Sequence, residues 1–223
     1  MIDEPPRIEA LGDSALLVTF GARIDRGLNR RALRLAEAVE AMRNEGLGPP
    51  VPAYASVLVP FDPQAIDADK ALTMVTRLLE TAVEPTAHLE DSKLVELPVH
   101  YGGADGPDLA DVAALHGLEP ADVIEAHAGV EYDVFFLGFA PGFAYLGTLP
   151  DSIATPRLAE PRIRVPAGSV GIAGSQTGVY PFELPGGWRL IGRTDGVLWD
   201  IRRDPPALLL PGDRVRFVPV PRP

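Results

Sequence analysis

The sequence predicts an α+β protein with a small N-terminal α+β domain followed by a C-terminal β-barrel. Strand-like and helix-like segments alternate through the N-terminal part of the chain, whereas short apolar segments broken by Gly and Pro follow from residue 131 onward. Residues 138–223 hold 12 Gly and 13 Pro, too many for helices and typical of the tight turns of a barrel. We place the first domain at residues 1–92 and the second at residues 93–223.

The predicted N-terminal domain begins with two short strands in RIEALGDSALLVTFG, separated by the turn pair Gly12-Asp13. Apolar residues then recur at helical spacing over residues 28–42, which predicts an amphipathic helix that stops near Gly46. YASVLVPF predicts a strand, residues 68–82 predict a second helix, and KLVELPV predicts a further strand. The order β-β-α-β-α-β indicates a ferredoxin-like sandwich with both helices on one face of the sheet.

The predicted C-terminal domain starts with a helical insert at residues 107–128. Pro107 and Pro120 suit first helical turns, and Gly117 separates the two helices. The barrel strands are then predicted in EYDVFFLGF, RIRVPAGSVGIAG, TGVYPFEL, GWRLIGRT, GVLWDIRR and DRVRFVPV. We expect a closed or nearly closed barrel with the insert helices packed on it.

Composition excludes several classes of function. The formal net charge of −11 repels phosphate backbones, and no basic cluster overrides it, so we expect no nucleic-acid partner. The absence of cysteine excludes disulfides, thiolate nucleophiles and Cys-based zinc sites. The N-terminus lacks a signal-peptide pattern, and no apolar run reaches membrane-spanning length. We therefore expect a cytoplasmic protein with no membrane partner.

No complete catalytic motif is present. GSVGIAGSQTG is rich in glycine but lacks the Gly-Lys-Ser/Thr ending of a phosphate-binding loop, and no Gly-x-Ser-x-Gly elbow occurs. His116 and His127 are too far apart in sequence for a zinc-binding pair. We therefore expect another chain to complete any active site.

Two segments concentrate unusual residues: GFAPGFAYLG, and residues 164–194. Aromatic rings and turn backbone brought to one rim suit a groove for a small molecule or a peptide. Spacing alone leaves open a plainer alternative, in which the glycines are barrel corners, the rings fill the core and Arg193 is a surface charge. His127 ends the second insert helix, where it could either complement the helix dipole or transfer protons. The candidate residues for such a groove are Phe139, Phe143, Tyr145, Arg164, Gln176, Thr177, Tyr180, Trp188 and Arg193, together with His127.

The stretch from LPVHYGG to WRLIGRT, residues 97–194, resembles the B-subunit family of 5-oxoprolinase, also called KipI/PxpB or allophanate hydrolase subunit 1. GFAPGFAYLG, PRLAEPRIRVPAGSVGIAG and QTGVYPFELPGGWRLIGRT are its most specific motifs. The resemblance implies a small N-terminal α+β domain and a cyclophilin-like C-terminal barrel. It also implies partners, namely a homologous C-type barrel protein (KipA/PxpC type) and a lactam-opening protein of the A type.

Together such proteins convert 5-oxoproline to glutamate at the expense of ATP, so the resemblance implies ATP with Mg, bound by the partner or shared with it. Arg193, Arg164 and the GSQTG backbone would stabilise a transferring phosphoryl group. Gln176 and Thr177 would hold the lactam amide, and His127 would move protons. The same family leaves two alternatives open: an inhibitor that binds a sensor histidine kinase, and a protein for carboxyl transfer to urea or allophanate.

Overall fold

A computed structural model of the chain describes residues 5–81 and 92–221. The chain divides into two compact units, residues 1–91 and residues 92–223. The predicted α+β class, with a small sheet and a separate barrel, is confirmed. No helix in the described ranges combines the length and the apolar character that a bilayer span requires.

The N-terminal unit is a four-stranded antiparallel sheet with two helices, and its strand order is β1-β2-β4-β3. Inward-facing side chains of β2 and β4 alternate with half-buried ones and form one core with the buried residues of both helices. Asp25 caps the first helix by accepting hydrogen bonds from the N–H groups of Gly27 and Leu28. The elements of this unit are β1 (Arg7–Ala10), β2 (Ala15–Thr19), α1 (Arg26–Ala41), β3 (Val51–Pro52), β4 (Ser56–Pro60) and α2 (Ala68–Thr81).

The C-terminal unit contains a closed seven-stranded barrel in the order β10-β7-β6-β13-β5-β12-β9, with β9 also paired to β10. The β5–β13 pair is parallel, and the other ladders are antiparallel. The short strands β8 and β11 form a separate two-stranded ribbon. The elements are β5 (Leu94–Tyr101), α3 (Leu109–His116), α4 (Pro120–Ala128), β6 (Glu131–Leu137), β7 (Ala144–Gly147), β8 (Arg162–Val165), β9 (Ser169–Ala173), β10 (Gln176–Val179), β11 (Leu184–Gly186), β12 (Arg189–Arg193) and β13 (Arg214–Pro219).

The two insert helices close over the barrel core, as predicted. Val112 of α3 and Val123 of α4 are fully buried in the same apolar cluster as the barrel strands. Gly117, with φ +66°, ends α3 in the left-handed region, and Pro120 occupies the first turn of α4. Pro107 lies one residue before the N-cap of α3 rather than inside its first turn.

Several strand predictions are corrected. RIRV, predicted as part of a barrel strand, forms β8 of the separate two-stranded ribbon. KLVELPV belongs to β5 of the barrel, where it pairs with the C-terminal strand β13, so it is not a strand of the N-terminal sheet. The predicted N-terminal order β-β-α-β-α-β is therefore replaced by ββαββα. The last predicted strand belongs to the barrel, and the two-residue strand β3 precedes β4. GVLWDIRR, predicted as a barrel strand, forms only the isolated bridge of Trp199 to Ala207. The Asp200 carboxylate then accepts hydrogen bonds from the backbone and side chain of Arg202, which closes a turn. Ala82, predicted to end the second helix, lies outside the described residues.

Candidate functional site

The sequence-predicted aromatic residues meet in one pocket of the C-terminal unit, which we call the aromatic pocket. Its volume is about 110 Å³. The loop after β6 supplies two rings, β7 supplies one, and the segments around β10 and β11 supply the rest. The lining residues are Phe139, Phe143, Tyr145, Arg157, Tyr180, Pro185, Gly186, Gly187 and Trp188.

The rings of the pocket pack edge to face around Phe143. The Phe143 centroid lies 5.1 Å from that of Tyr145, 5.5 Å from that of Tyr180 and 5.6 Å from that of Trp188. Phe143, Tyr180 and Trp188 are buried in a second core cluster, separate from the barrel interior. Tyr145 is half-buried and stacks on Phe136 at 4.5 Å. The rings therefore build a rigid apolar wall with one accessible side.

Glycine makes this ring packing possible. A Cβ on Gly178 would approach Phe143 and Trp188 to 3.2 and 3.1 Å, and a Cβ on Gly186 would overlap the Tyr180 hydroxyl. The abundance of glycine beside aromatic residues in residues 164–194 thus has a steric cause. The glycines leave the space that the rings occupy.

Phe139 stands apart from the other rings because it is 60% exposed and has φ +66°. The Ala140 N–H donates to the Gly138 carbonyl at 2.7 Å, which closes a three-residue γ-turn around Phe139. A positive φ is costly for a bulky residue, and such strain concentrates at functional sites. The turn holds the ring at the rim of the pocket, with its centroid 5.4 Å from that of Phe143.

Charge enters the pocket through Arg157. Burial raises the pKa of the Tyr145 and Tyr180 hydroxyls above the usual value, and the positive charge of Arg157 opposes this rise at both. Both phenols therefore remain protonated at neutral pH. The pocket thus combines apolar walls, neutral phenols and one guanidinium.

His127 lies inside the barrel and not at the aromatic pocket. Its side chain is fully buried, and its ring centroid lies 4.5 Å from that of Phe217 on β13. Nδ1 is 2.7 Å from the Tyr101 hydroxyl, and Nε2 is 2.9 Å from the Thr177 hydroxyl. The Thr177 hydroxyl in turn donates to the Gly171 carbonyl at 3.1 Å. We call these four groups the His127 chain.

The direction of hydrogen-bond donation along the His127 chain follows from the bond between the Thr177 hydroxyl and the Gly171 carbonyl. Because Thr177 gives its proton to Gly171, its oxygen accepts from Nε2–H, and Nδ1 then accepts from the Tyr101 hydroxyl. This requires the neutral Nε2-protonated ring. Burial lowers the pKa of His127 to about 3, which agrees with a neutral ring. His127 therefore does not complement the α4 dipole as a cation.

The remaining predicted site residues do not join the pocket. Thr177 is fully buried and is engaged with His127, so it does not reach a ligand in this structure. Arg164 is exposed and pairs with Glu183 at 3.6 Å. Arg193 ends β12 at the surface, where its Nε donates to the Ala167 carbonyl at 3.0 Å.

Gln176 begins β10 and pairs with Gly147 and Ala173 in the barrel ladders, half-buried and outside the pocket lining. The structure thus brings together the predicted aromatic residues but neither the predicted cations nor the predicted amide-binding pair. The role of Arg193 in catalysis stays a prediction.

Sequence reasoning missed Arg157 and a buried carboxylate. Asp108 is buried and accepts hydrogen bonds from Arg162 at 2.7 Å and from the Leu190 N–H at 2.6 Å, which ties the start of α3 to β8 and β12. Arg157 stands in PRLAEPRIR, one of the motifs that supports the family resemblance. Among several arginines there, periodicity gives no means of choosing the one that faces a pocket.

Comparison with known proteins identifies close relatives. The carboxyltransferase domain family, subdomain C and D, matches residues 6–209. The 5-oxoprolinase B-subunit of Escherichia coli O157:H7 is 47% identical over 214 residues, covering 96% of this chain and 95% of that protein. The 5-oxoprolinase B-subunit of Bacillus subtilis (strain 168) is 43% identical over 222 residues, covering 95% of this chain and 92% of that protein.

Solved structures agree with these matches. The crystal structure of TTHA0988 is 40% identical with a TM-score of 0.82, and the match covers 94% of this chain but 40% of that longer chain. A conserved uncharacterized protein from Pyrococcus horikoshii is 48% identical with a TM-score of 0.56, covering 96% of this chain and 97% of that chain. Kluyveromyces lactis urea carboxylase, 23% identical over 97% of this chain and 22% of its own, has a TM-score of 0.76 and shows the shared fold alone. From the family match and the near full-length identities of 43–47%, the chain belongs to the 5-oxoprolinase B-subunit family of carboxyltransferase-domain proteins.

Proposed function

We propose that this chain is the B-subunit of an ATP-dependent 5-oxoprolinase and that its aromatic pocket binds the 5-oxoproline ring. The observation that supports this most directly is the 47% identity, over 96% of this chain and 95% of the other, to a protein named as the 5-oxoprolinase B-subunit. Both relatives are named as subunits, which implies an assembly of several chains.

The pocket has the chemistry that a small lactam requires. A five-membered lactam ring has two apolar faces that pack on aromatic side chains, and Phe143, Tyr145 and Trp188 supply such surfaces. The lactam carbonyl is an acceptor, and the pocket holds phenol groups that stay protonated at neutral pH. In this proposal the chain binds and orients the ring and keeps water from one side of it.

The described residues do not fit a Mg·ATP site within this chain. Among them, no group of three or more His, Asp or Glu side chains could hold a metal ion. The glycine-rich GSVGIAGSQTG segment forms the barrel strands β9 and β10 and the turn between them. In this proposal ATP therefore binds at a site that another protein of the assembly completes.

The partner in this proposal is a homologous barrel protein of the C type (KipA/PxpC). An A-type protein then opens the lactam. The fold of this chain makes up 40% of the longer TTHA0988 chain, which supports a domain that works beside further polypeptide. The exposed ring of Phe139 at the rim is suited to bury against such a partner.

The test is to express the chain alone and together with candidate C-type and A-type partners, then measure glutamate released from 5-oxoproline with and without ATP. We expect no turnover by the chain alone, ATP-dependent turnover by the three chains together, and co-elution of this chain with its C-type partner on gel filtration. A stable interface of about 1,600 Å² would survive that separation.

Robust turnover by the pure chain would contradict the shared active site. Separate elution of this chain and its C-type partner at micromolar concentration would contradict the obligate partnership. If the three chains together release no glutamate and this chain instead inhibits a sensor histidine kinase, the inhibitor alternative replaces the enzyme.

A further inference from the structure

We propose that Arg157 recognises a carboxylate, so that the aromatic pocket takes a small ring compound that carries one. The identification of that compound as 5-oxoproline rests on the proposed function, whereas the carboxylate specificity rests on the structure of the pocket.

Among the described arginines of the C-terminal unit, Arg157 differs in having no hydrogen-bond or salt-bridge partner within the described residues. Each of the other described arginines of the unit makes a hydrogen bond or salt bridge, whereas Arg157 makes none within the described part of the chain. Those eight and their partners are Arg162 with Asp108, Arg164 with Glu183, Arg189 with the Pro156 carbonyl, Arg193 with the Ala167 carbonyl, Arg202 with Asp200, Arg203 with the Val197 carbonyl, Arg214 with Glu131, and Arg216 with Glu96 and Glu131.

The backbone that bears Arg157 is fixed at the pocket on both sides. The Leu158 N–H donates to the Gly187 carbonyl at 2.8 Å, and the Pro156 carbonyl accepts from Arg189 Nε at 3.1 Å. Gly187 itself lines the pocket. These two bonds hold the Arg157 backbone in place while its guanidinium stays available, which is the arrangement that binding of an incoming anion requires.

The size and charge of the site favour a single carboxylate on a small ring. The volume of about 110 Å³ limits the pocket to a small compound. The chain as a whole has a net charge of −11 and repels anions, so a local cation is needed to retain one. One guanidinium forms a two-pronged pair with one carboxylate, and no second Lys or Arg among residues 5–81 and 92–221 lines the pocket to balance a phosphate.

The binding test uses the full chain and three probe compounds: 5-oxoproline, 2-pyrrolidinone (the same ring without the carboxylate) and N-acetylglycine (a carboxylate without the ring). Affinities are measured by calorimetry, with tryptophan fluorescence as a second readout, to which Trp188 in the pocket and Trp199 both contribute. We expect 5-oxoproline to bind most tightly. Arg157→Gln should lower the affinity for 5-oxoproline about tenfold or more, because a charge-assisted hydrogen bond is lost. The affinity for 2-pyrrolidinone should not change.

Two further variants sharpen the test. Arg157→Lys keeps the positive charge but loses the planar guanidinium that contacts both carboxylate oxygens. Its affinity for 5-oxoproline should therefore lie between those of the parent and Arg157→Gln. Arg202→Gln is the matched control, because it removes an exposed arginine of the same unit that is already paired with Asp200. It should bind all three probes like the parent.

If Arg157→Gln loses affinity for 5-oxoproline and for 2-pyrrolidinone by the same factor, carboxylate recognition is overturned. Binding of 5-oxoproline by Arg157→Gln with the affinity of the parent would overturn it as well. Equal binding of N-acetylglycine and 5-oxoproline by the parent would overturn the ring requirement. In the assembled complex, Arg157→Gln should raise KM for 5-oxoproline with little change in kcat. If the parent complex releases no glutamate while the binding pattern holds, the proposed function fails and the carboxylate site stands.

Discussion

Replacing the buried His127 with glutamine should remove most of the acid sensitivity of the C-terminal unit. His127 is fully buried, and burial lowers its pKa to about 3 from an ordinary value of 6.5. In the unfolded chain the imidazole binds a proton near pH 6.5, whereas in the fold it stays neutral. Between these values the unfolded state holds more protons, so the free energy of unfolding falls as the pH falls.

The size of the effect follows from the distance between the unfolded pKa and the pH of the measurement. At pH 5.0 that distance is about 1.5 pKa units, which corresponds to about 2 kcal/mol of lost stability. The figure does not depend on the folded pKa of His127 as long as it lies well below 5. The stability is fully present above about pH 6.5 and is lost progressively toward pH 3.

The assay is guanidinium chloride unfolding followed by tryptophan fluorescence at pH 7.5 and pH 5.0. Both tryptophans of the chain, Trp188 and Trp199, lie in the C-terminal unit, so the signal reports that unit alone. His127→Gln can still donate a hydrogen bond to the Thr177 hydroxyl but does not titrate. The parent should lose about 2 kcal/mol more than the variant between the two pH values.

The matched control is His116→Gln, because His116 lies in the same unit but is only half-buried and bonds to Thr155 at 3.0 Å. If the free energy of unfolding of the parent and of His127→Gln falls by the same amount on going to pH 5.0, the conclusion that His127 stays neutral in the fold is refuted. The same conclusion follows if the acid sensitivity disappears in His116→Gln instead.

Three further predictions concern single side chains. Thr177→Val should lower the free energy of unfolding at pH 7.5 by about 1–3 kcal/mol, because it leaves the Nε2–H of His127 buried without an acceptor; an unchanged denaturation midpoint would contradict the bond. Phe139→Ala should leave the midpoint nearly unchanged, since the ring is 60% exposed, yet weaken binding of 5-oxoproline in the calorimetric assay; parent-like binding would remove Phe139 from the site. Arg193→Ala should shift the melting temperature little, because the side chain is exposed and donates only to the Ala167 carbonyl. Its effect on kcat of the assembled complex then decides between a catalytic residue and a surface charge.

The helices and most strands could be predicted because each depends on a local pattern. The apolar stripe of α1, the left-handed Gly117 and Pro120 in the first turn of α4 are all properties of neighbouring residues. The membership of β5 in the barrel could not be predicted in the same way. It depends on parallel pairing with β13, and no local pattern identifies a partner so distant in sequence.

The candidate site could also be predicted only where it depends on local sequence. The rings could be assigned to one site because they stand in two segments dense in Gly and aromatic residues. The arginine that lines the pocket could not be chosen, since Arg157, Arg164 and Arg193 look alike in sequence and only their contacts in the fold separate them. The sequence predicts proton transfer by His127 and substrate binding by Thr177, and it gives no sign that the two side chains bond to each other inside the barrel.

The His127 chain and the aromatic pocket meet at Gly171. Its carbonyl accepts the Thr177 hydroxyl from the interior side, and its missing side chain leaves room for Trp188, whose Cβ would lie 3.1 Å from a Cβ at this position. Gly171 of β9 also pairs with Gly178 of β10, which lies against the rings of Phe143 and Trp188. The pocket wall therefore depends on where the interior bonds hold these two strands. A buried polar chain that fixes a backbone supports a binding site without touching its ligand. This accounts for a fully buried histidine in a protein whose candidate binding chemistry lies on the other side of the same strands.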